Sequence, residues 1–410
     1  MFVYLFYLFV LKKSIFTFVY CFYYNSFMNG NALKQANTKA VIKELLSESS
    51  STRIEISRKL GLSKMTVTNI VSVLLKDGFF VENKLEGSEI KGRPAVALSL
   101  SPDAPKTVSV YLSPERITIR IESLSLKQSS ERNLEIGESR IQDYEKILLE
   151  GLDQTFRESI NTKIIGIGIS VRGNVNCKDG IIEDKEHYFG REKIEILSTI
   201  SSRYPLPVSI NSSTDCFAMA ESYYGIGKNE PEALYINILD KVESTIVHEG
   251  ELLKSSSKFG CQIAHISIDY NGLSCSCGNR GCLETYISSD VMVKKIRDIT
   301  KMRLDFKGFC ELQNKKNDSR IDWALKDMMD KMAAALVGYC SLFHPGLIVL
   351  GGDGFYIPDR YLAKLEKTIN EKTSKFNEVS IKVRKPMFKN ETMETGAILP
   401  LAMNYFETEL

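Results

Sequence analysis

The chain lacks strong net charge and secreted-type cysteine pairing, and each absence removes a class of protein. Its net charge is only +2 over 410 residues, so the molecule as a whole is not a polycation. The nine cysteines form no paired framework, which favours a reducing, cytoplasmic environment. Only one tryptophan is present, Trp323, and we expect it to pack in a helix. A composition of 43% hydrophobic and 25% charged residues then indicates a globular protein with two or three domains.

Long hydrophobic runs are also missing, although residues 1–27 are strongly apolar and aromatic. Lys12 and Lys13 split this segment into two runs, each shorter than the ~20 apolar residues that a membrane helix needs. No small-residue cleavage site follows, so a signal peptide fits poorly. We expect an over-extended start with Met28 as the natural initiator. The alternative is a membrane-associating tail whose aromatic side chains favour the lipid interface.

The densest group of potential metal ligands lies within twenty positions of the carboxy-terminal half. It consists of one imidazole and three thiols: His265, Cys275, Cys277 and Cys282. Three thiolates and a neutral imidazole form a closed tetrahedral set suited to structural Zn²⁺, with no position left for water. Gly278 and Gly281 let the chain bend back tightly between the ligands. The alternative is a chance group of free cysteines in a reduced protein.

Residues 30–100 have the pattern of a DNA-binding module. They carry 11 Lys and Arg against 7 Asp and Glu, a local charge of +4. Apolar spacing predicts a helix over residues 37–47, and Ser51 or Thr52 can cap a second over residues 53–60. Gly61 ends that helix, and Ser63 caps a third that extends to about residue 76. A short turn with glycine between two helices is a helix-turn-helix signature.

The start of the third helix would enter a major groove, and a strand pair would follow it as a wing. Strands are expected at residues 79–82 and 95–98, joined through a tip at residues 91–94 that can reach a minor groove. The alternative is a small helical packing domain whose charges are merely solvated. The candidate DNA-contacting residues on the helix and the wing are Ser63, Lys64, Met65, Thr66, Thr68, Asn69, Lys91 and Arg93.

From residue 107 onward, strand-like and helix-like stretches alternate, which predicts an α/β body. Strands are expected at residues 107–111, 117–122, 164–170, 233–239, 244–248 and 347–350, and helices at 143–159, 218–224 and 323–342. Residues 307–320 are interpreted as an exposed helix or loop. We place the winged helix-turn-helix domain at residues 30–100 and the body at residues 106–408, with a proline-containing linker between them.

The string C-S-C-G-N-R-G-C-L-E at residues 275–284 resembles the zinc motif of the ROK proteins, a family of sugar kinases and sugar-responsive repressors. The resemblance runs from about residue 36 to about residue 406 and also rests on the helix-turn-helix and on Leu350-Gly351-Gly352. It implies a two-lobed, actin-like ATPase fold behind an N-terminal winged helix-turn-helix. It further implies that His265 is a zinc ligand facing the sugar and that Glu284 contacts the sugar.

Three features that a ROK kinase requires are altered in this sequence. The first phosphate loop, roughly Asp-x-Gly-Gly-Thr in the family, corresponds to Y-L-S-P-E at residues 111–115, where Pro114 removes a donor and Glu115 would repel phosphate. The second, Gly-Thr-Gly-x-Gly, corresponds to L-D-K-V-E at residues 239–243. The catalytic Glu-Asn-Asp run corresponds to residues 211–213, N-S-S, and a Ser hydroxyl is no general base, although Asp215 could substitute at another angle. We therefore expect phosphoryl transfer to be lost.

The family's sugar-binding motif is only partly kept. Gly-Glu-Ile-Gly-His becomes C-Q-I-A-H at residues 261–265, and a loop that usually reads Pro-Gly becomes Arg172-Gly173. A polar ligand could still be hydrogen-bonded there, and Arg172 could instead pair with an anionic one such as a sugar phosphate. The alternative is a decayed pocket without a ligand. The candidate ligand-binding residues are Arg172, Gly173, Ser212, Ser213, Gln262, His265 and Glu284.

These observations predict a cytoplasmic repressor of carbohydrate genes that acts as a homodimer or homotetramer on operator DNA. A sugar or sugar phosphate in the body would change how the DNA-binding heads fit their half-sites. Two alternatives remain open: a ROK sugar kinase with an added DNA-binding head, and a ligand-independent DNA-binding scaffold. The resemblance extends equally to repressors of the xylose, glucose and amino-sugar types, so the sequence names no sugar.

Overall fold

A computed structural model describes residues 30–47, 50–84, 96–125, 128–184, 189–253, 261–375, 379–388 and 396–409. The chain forms two compact units: the first runs to Ala104 and includes Met403–Leu410, and the second is Pro105–Ala402. The sequence analysis had instead predicted that all of residues 106–408 belong to the body. The apolar segment 1–27 lies outside the described residues. Within the described part of the chain, the helices are too short or too polar to cross a membrane.

The first unit contains three helices and a small antiparallel sheet. The helices are α1 (Gly30–Ser47), α2 (Arg53–Leu60) and α3 (Lys64–Lys76), and the strands β1 (Ser51–Thr52), β2 (Phe80–Lys84) and β3 (Val96–Leu100) pair in the order β1-β3-β2. Helix α1 begins earlier than the predicted residue 37, whereas α2 and α3 agree with the sequence pattern. The β2–β3 pair is the expected wing, and its tip lies outside the described residues.

Local capping explains where α2 begins and ends. The Thr52 hydroxyl accepts a hydrogen bond from the Glu55 N–H (3.2 Å), and the Thr52 N–H donates to the Glu55 carboxylate (2.8 Å), which forms a capping box. Gly61 ends the helix with φ +64°, a left-handed conformation that glycine adopts without strain. The turn to α3 is therefore encoded by residues adjacent in sequence.

The second unit consists of two lobes, each built on a five-stranded mixed sheet. The first sheet, in spatial order β11-β7-β4-β5-β6, comprises β4 (Lys106–Leu112), β5 (Arg116–Ser123), β6 (Gln128–Glu135), β7 (Ile164–Val171) and β11 (Val208–Ser212). Strands β4, β7 and β11 are parallel, whereas β4, β5 and β6 are antiparallel. A small separate sheet contains β8 (Val175–Asn176), β9 (Ile181–Glu183) and β10 (Lys193–Ile194).

The second lobe repeats the same strand pattern. Its sheet, in spatial order β14-β13-β12-β15-β16, comprises β12 (Glu232–Ile238), β13 (Val242–His248), β14 (Glu251–Leu252), β15 (Leu347–Gly352) and β16 (Lys382–Arg384). Strands β12, β15 and β16 are parallel, and β12, β13 and β14 are antiparallel. Each lobe therefore has three antiparallel strands followed by two parallel ones, in equivalent positions.

Helices cover these sheets and complete the cores. They are α4 (Tyr144–Glu158), α5 (Ile196–Arg203), α6 (Ser213–Tyr223), α7 (Glu284–Ile287), α8 (Ser289–Thr300), α9 (Phe306–Lys316), α10 (Ser319–Phe343), α11 (Asp359–Thr373) and α12 (Ile398–Glu409). Strands β4 and β7 are buried along most of their length, as expected for a sheet covered on both faces. The sequence analysis predicted an exposed helix or loop at residues 307–320. Helix α9 exposes much of this segment, and its other face buries Phe306, Phe309 and Cys310 in the core.

The glycines of the I-I-G-I-G-I-S strand have a packing role. A Cβ on Gly168 would lie 2.2 Å from the carbonyl oxygen of Ala397, and one on Gly166 would lie 3.1 Å from Leu401. The segment around the start of α12 can therefore approach β7 closely. Further along, the Tyr405 ring of α12 lies 5.3 Å from the buried Phe79 ring, and both residues belong to the first unit.

Candidate functional site

Helix α3 presents a polar and partly apolar surface at its amino-terminal end. Ser63 caps it, and its hydroxyl accepts a hydrogen bond from the Thr66 N–H (3.0 Å). One side of the helix is buried through Val67, Ile70, Val71 and Leu74. The opposite side exposes the predicted DNA-contacting residues Lys64, Met65, Thr68 and Asn69. Such an end can enter a major groove.

Internal hydrogen bonds distinguish the side chains on this surface. The Thr66 hydroxyl lies 2.8 Å from the Ser63 hydroxyl, and the Thr68 hydroxyl donates to the Lys64 carbonyl (2.8 Å). The Met65 side chain, by contrast, is 73% exposed. The Thr66 and Thr68 hydroxyls are thus engaged within the protein, whereas the Met65 side chain extends into solvent. The predicted wing contacts Lys91 and Arg93 lie outside the described residues.

The four predicted metal ligands come together in the second unit. The ligand atoms of His265, Cys275, Cys277 and Cys282 all lie within 4.8 Å of one another. The Sγ atoms of Cys277 and Cys282 are 3.7 Å apart, and His265 Nδ1 is 3.6 Å from Cys275 Sγ. A tetrahedral ion with metal–sulfur bonds of about 2.3 Å places two sulfurs about 3.8 Å apart. The cluster therefore has the composition and spacing to bind a metal ion.

The loop that carries these thiols is folded by its own backbone. The Cys275 N–H donates to the Asn279 carbonyl (2.9 Å), and the Gly278 N–H donates to the Cys275 carbonyl (3.0 Å). Gly281 has φ +63°, and a Cβ there would lie 1.7 Å from the carbonyl oxygen of Asp269. No other residue type fits this position without moving the backbone. Glycine thus allows Cys282 to return to the cluster.

A cleft of about 370 Å³ opens where the parallel strands of the two sheets end. Arg172 and Gly173 follow β7, Ser212 ends β11, and Lys241 precedes β13. Ligands of open α/β sheets characteristically bind at the carboxyl ends of the strands, in cavities of this size. Six of the seven predicted ligand residues line this cleft: Arg172, Gly173, Ser212, Gln262, His265 and Glu284.

Ser213 differs from the sequence prediction. Its side chain is fully buried, and it is not among the residues that line the cleft. Ser212 is the N-cap of α6, so Ser213 begins the helical turn, and successive helical side chains point about 100° apart. The residue at the family's catalytic aspartate position therefore packs into the core. Thr214 and Asp215 reach the cleft instead.

Several polar residues of the cleft lining were not among the predicted ligand residues, and Thr214, Asp215 and Glu243 are three of them. The Thr214 hydroxyl donates to the Glu243 carboxylate (2.6 Å) and accepts from the Asn237 amide (3.0 Å). Burial raises the pKa of Glu243 to about 6, although the hydrogen bond from Thr214 and the charge of Arg172 act in the opposite direction. In the sequence, Glu243 was noted only as part of the segment that replaces the family's second glycine-rich loop.

Arg172 joins the two lobes through carboxylates that are distant in sequence. Its guanidinium donates to Asp240 (2.6 Å), which follows β12 of the second lobe, and to Glu115 (3.2 and 3.3 Å), which follows β4 of the first. Burial alone would lower the pKa of Arg172, but the hydrogen bond to Asp240 and the charges of both carboxylates raise it above its ordinary value. Arg172 is thus already paired within the protein.

Glu284 and His265 connect the cleft to the thiol cluster. The Glu284 carboxylate accepts a hydrogen bond from the Val242 N–H (3.0 Å), which fixes one of its oxygens. The ring of His265 faces Cys275 with Nδ1, so Nε2 is the ring nitrogen left for the cleft. Ser276 and Cys277 of the thiol loop also line the cleft. Ordering this loop therefore also shapes one wall of the cavity.

Together, these features define a class: a winged helix-turn-helix domain joined to a two-lobed α/β body that carries an interlobe cleft and a Cys₃His cluster. The chain belongs to the ROK family, whose model matches residues 115–402. A model for winged helix-turn-helix DNA-binding domains matches residues 35–81. Both matches agree with the resemblance found in the sequence.

Curated relatives share both parts of the chain. A xylose repressor from Caldicellulosiruptor bescii is 24% identical over 386 residues, covering 90% of this chain and 96% of that protein. The DNA-binding transcriptional repressor Mlc of Escherichia coli is 24% identical over 381 residues, covering 90% and 93%. A xylose repressor from Bacillus subtilis is 27% identical and covers 78% of this chain and 82% of that protein.

Solved structures agree on the fold. A ROK family transcriptional regulator described as a homologue of the E. coli MLC protein superposes with a TM-score of 0.74 at 22% identity, covering 92% of this chain and 98% of that one. A ROK hexokinase from Thermus thermophilus gives a TM-score of 0.62 at 19% identity, covering 73% of this chain and 99% of the hexokinase. The body fold is therefore shared by regulators and kinases, and chemistry has to be argued from the site.

Proposed function

We propose that this protein is a sugar-responsive transcriptional repressor of carbohydrate genes that has no kinase activity. The observation that carries the proposal is the combination of an exposed, capped recognition helix with a cleft whose phosphate-loop positions hold carboxylates. The named repressors among its relatives match over nearly the whole chain, including the DNA-binding domain.

Loss of phosphoryl transfer is supported by charge and by geometry. Glu115 and Asp240 stand in the two loops where family kinases have glycines, and both point their carboxylates at Arg172. A nucleotide triphosphate placed there would meet like charge, and the guanidinium of Arg172 is already paired with both carboxylates. The buried Ser213 at the catalytic position supplies no general base.

We infer that the Cys₃His cluster binds Zn²⁺ and that the ion is structural. His265, Cys275, Cys277 and Cys282 would occupy all four positions of a tetrahedron, which leaves no open site for a reacting group. When bound, the ion would fix the thiol loop. Through this loop it would hold His265 and one wall of the cleft in place for a ligand.

The proposed partners follow from the two units. In the cytoplasm, two copies would present two α3 helices to half-sites about one helical turn apart, as a homodimer or within a homotetramer. A sugar in the cleft would favour one arrangement of the lobes, and it would weaken operator binding only if the other arrangement binds DNA better.

Two measurements on the purified chain test the proposal. Fluorescence anisotropy with promoter fragments from its own locus should give specific binding that a sugar weakens. An ATP-consumption assay with the same sugars should give no turnover. A chain that ignores these fragments yet phosphorylates a hexose would be a sugar kinase. Operator binding that no sugar affects would indicate a ligand-independent scaffold.

A further inference from the structure

Helix α3 exposes one continuous stripe of side chains along its length. Met65, Thr68, Asn69 and Ser72 are all exposed, and their spacing of three and four positions places them on one face of the helix. The opposite face is buried. The stripe formed by these four residues is therefore the surface of α3 that can contact DNA, as recognition helices do.

Two of the four side chains on the stripe use their hydroxyl protons within the helix. The Thr68 hydroxyl donates to the Lys64 carbonyl (2.8 Å), and the Ser72 hydroxyl donates to the Thr68 carbonyl (2.8 Å). Such bonds to the carbonyl four positions earlier are local and need no DNA to form. The stripe then offers a base edge two further kinds of group: the amide of Asn69 and the long apolar side chain of Met65.

Met65 is the most exposed large apolar side chain among the described residues of the first unit. Its exposed fraction is 73%, against 56% for Ile54 and 40% for Leu33. It lies in the first turn of α3, and helical side chains lean toward the amino terminus. The Met65 thioether therefore projects at the end of the helix that enters a major groove.

Thymine is the base that offers an apolar group in the major groove. Its 5-methyl group projects into the groove, whereas the other base edges present hydrogen-bond donors and acceptors there. Methionine is unbranched, with rotatable bonds and a polarizable sulfur, so it adapts to a contact of this shape. Burying one methyl group from water changes an affinity by about fourfold. Such a contact therefore distinguishes thymine from bases that lack the methyl group.

We propose that Met65 is a specificity-determining residue that reads the 5-methyl group of one thymine in each operator half-site. This inference rests on the proposed function and adds to it a base that the operator contains. Met65 and Asn69 lie four positions apart, or about 6 Å along the helix axis, so the two side chains read different base pairs. The methyl contact is thus separate from any hydrogen bond that Asn69 makes.

Single replacements of thymine by deoxyuridine test this inference, because each deletes one 5-methyl group and leaves base pairing intact. DNase footprinting of promoter fragments from the chain's own locus first locates the half-sites. Fluorescence anisotropy of the full chain then gives the affinity for duplexes with deoxyuridine at one thymine at a time. One thymine position in each half-site should show an affinity loss of about fourfold, and Met65→Ala should abolish this loss.

A second arm separates the methyl group from the deformability of the DNA. At the sensitive position, a cytosine–guanine pair and a 5-methylcytosine–guanine pair have the same hydrogen-bonding edge and differ by the methyl group. The wild type should prefer the methylated pair by about fourfold, and Met65→Ala should bind both pairs equally. An effect of the methyl group on DNA bending would instead appear in both proteins alike.

Two further variants serve as controls. Met65→Leu keeps an apolar side chain at this position and should retain a dependence on the methyl group of at least about twofold. Ile54→Ala removes another exposed apolar side chain, on α2, and should leave the wild-type dependence unchanged. Because Met65 and Ile54 are both largely exposed, circular dichroism and thermal melting of the three variants should match the wild type.

The outcomes distinguish failure of this inference from failure of the proposed function. Specific operator binding without a methyl-sensitive thymine, or with a sensitivity that Met65→Ala retains, would refute the inference alone. A sensitivity that Ile54→Ala also abolishes would show that the effect does not belong to Met65. Absence of specific binding to every promoter fragment would refute operator recognition and the inference with it.

Discussion

At the scale of single residues, Gly281 is the position on which the thiol loop depends most. Gly281→Ala should lower the free energy of unfolding by about 2 kcal/mol or more, because its Cβ would lie 1.7 Å from a backbone oxygen at φ +63°. The displaced loop should also bind less metal. Urea denaturation and the zinc content of the purified protein measure the two effects.

Gly278→Ala provides the matched control within the same loop. Gly278 also has a positive φ, +90°, but nothing lies within 4 Å of the Cβ that alanine would add. Only backbone strain of about 1–2 kcal/mol is expected, and the metal stoichiometry should remain that of the wild type. Equal losses of metal in the two variants would mean that crowding against Asp269 is not what positions Cys282.

Glu243 should make stability depend on pH in a defined window. Its pKa in the folded protein is about 6, against 4.5 for an unperturbed glutamate, so the folded state binds more protons between these values. The stabilisation that comes from protonated Glu243 is fully present below about pH 4.5. It is lost as pH rises through about 6, a change of about 2 kcal/mol.

The measurement is the difference in unfolding free energy between the wild type and Glu243→Gln, taken by urea denaturation across this window. Glutamine mimics the protonated acid, and titration of the thiol cluster contributes to both proteins alike and cancels. The difference should shift against the wild type as pH rises, because Glu243 ionises in a buried position beside Asp215 and Asp240. The Thr214 hydrogen bond and the charge of Arg172 offset this cost only in part. A difference that stays constant across the window would show that Glu243 titrates normally.

At the scale of secondary-structure elements, helix α3 should carry sequence discrimination. Asn69→Ala should weaken binding to the operator by about 1–3 kcal/mol while leaving binding to unrelated DNA nearly unchanged, because its exposed amide can read a base edge. Fluorescence anisotropy with operator and scrambled duplexes measures both affinities at one salt concentration.

Ser72→Ala is the control on the same helix. Ser72 is exposed, but its hydroxyl donates to the Thr68 carbonyl (2.8 Å) and lies nearer the carboxyl end of α3. Its removal should leave both affinities close to those of the wild type. If Asn69→Ala also leaves operator affinity unchanged, α3 does not read the bases through this position.

The elements also show what the sequence could and could not predict. Helix α2, the Gly61 turn and the Ser63 cap follow from neighbouring residues, so local pattern placed them well. The four metal ligands lie within twenty positions, and the glycines between them predicted a turn tight enough to bring the ligands together. Arg172 is 57 residues from Glu115 and 68 from Asp240, and such pairing depends on how two sheets meet. The sequence analysis placed Ser213 in the cleft, but along a helix a change of one position is enough to turn a side chain from the cleft into the core.

At the scale of the whole molecule, the carboxyl-terminal helix contributes to the DNA-binding unit. The Tyr405 ring lies 5.3 Å from the Phe79 ring, which is fully buried. Tyr405→Ala should destabilise the first unit by about 1–3 kcal/mol through lost ring contact and burial. Hydrogen exchange of amides in α2 and α3 should therefore accelerate, while that of β12 and β15 should not.

Leu342→Ala provides the comparison in the body, because Leu342 is 76% exposed near the end of α10. This substitution should leave the free energies of amide opening in both units within about 0.5 kcal/mol of the wild-type values. Acceleration throughout the chain in Tyr405→Ala would indicate a global loss of stability. No acceleration anywhere would indicate that the first unit is complete without its last residues.

The repeated strand order of the two lobes has a consequence for how such a cavity originates. The sheet containing β4 and the sheet containing β12 have the same five-stranded pattern, and each contributes residues at or near its strand ends to the cleft. Half of this body would expose those strand ends to solvent and enclose nothing. Two copies of the same half-length pattern, set against each other, are therefore enough to form a cavity, whatever side chains line it.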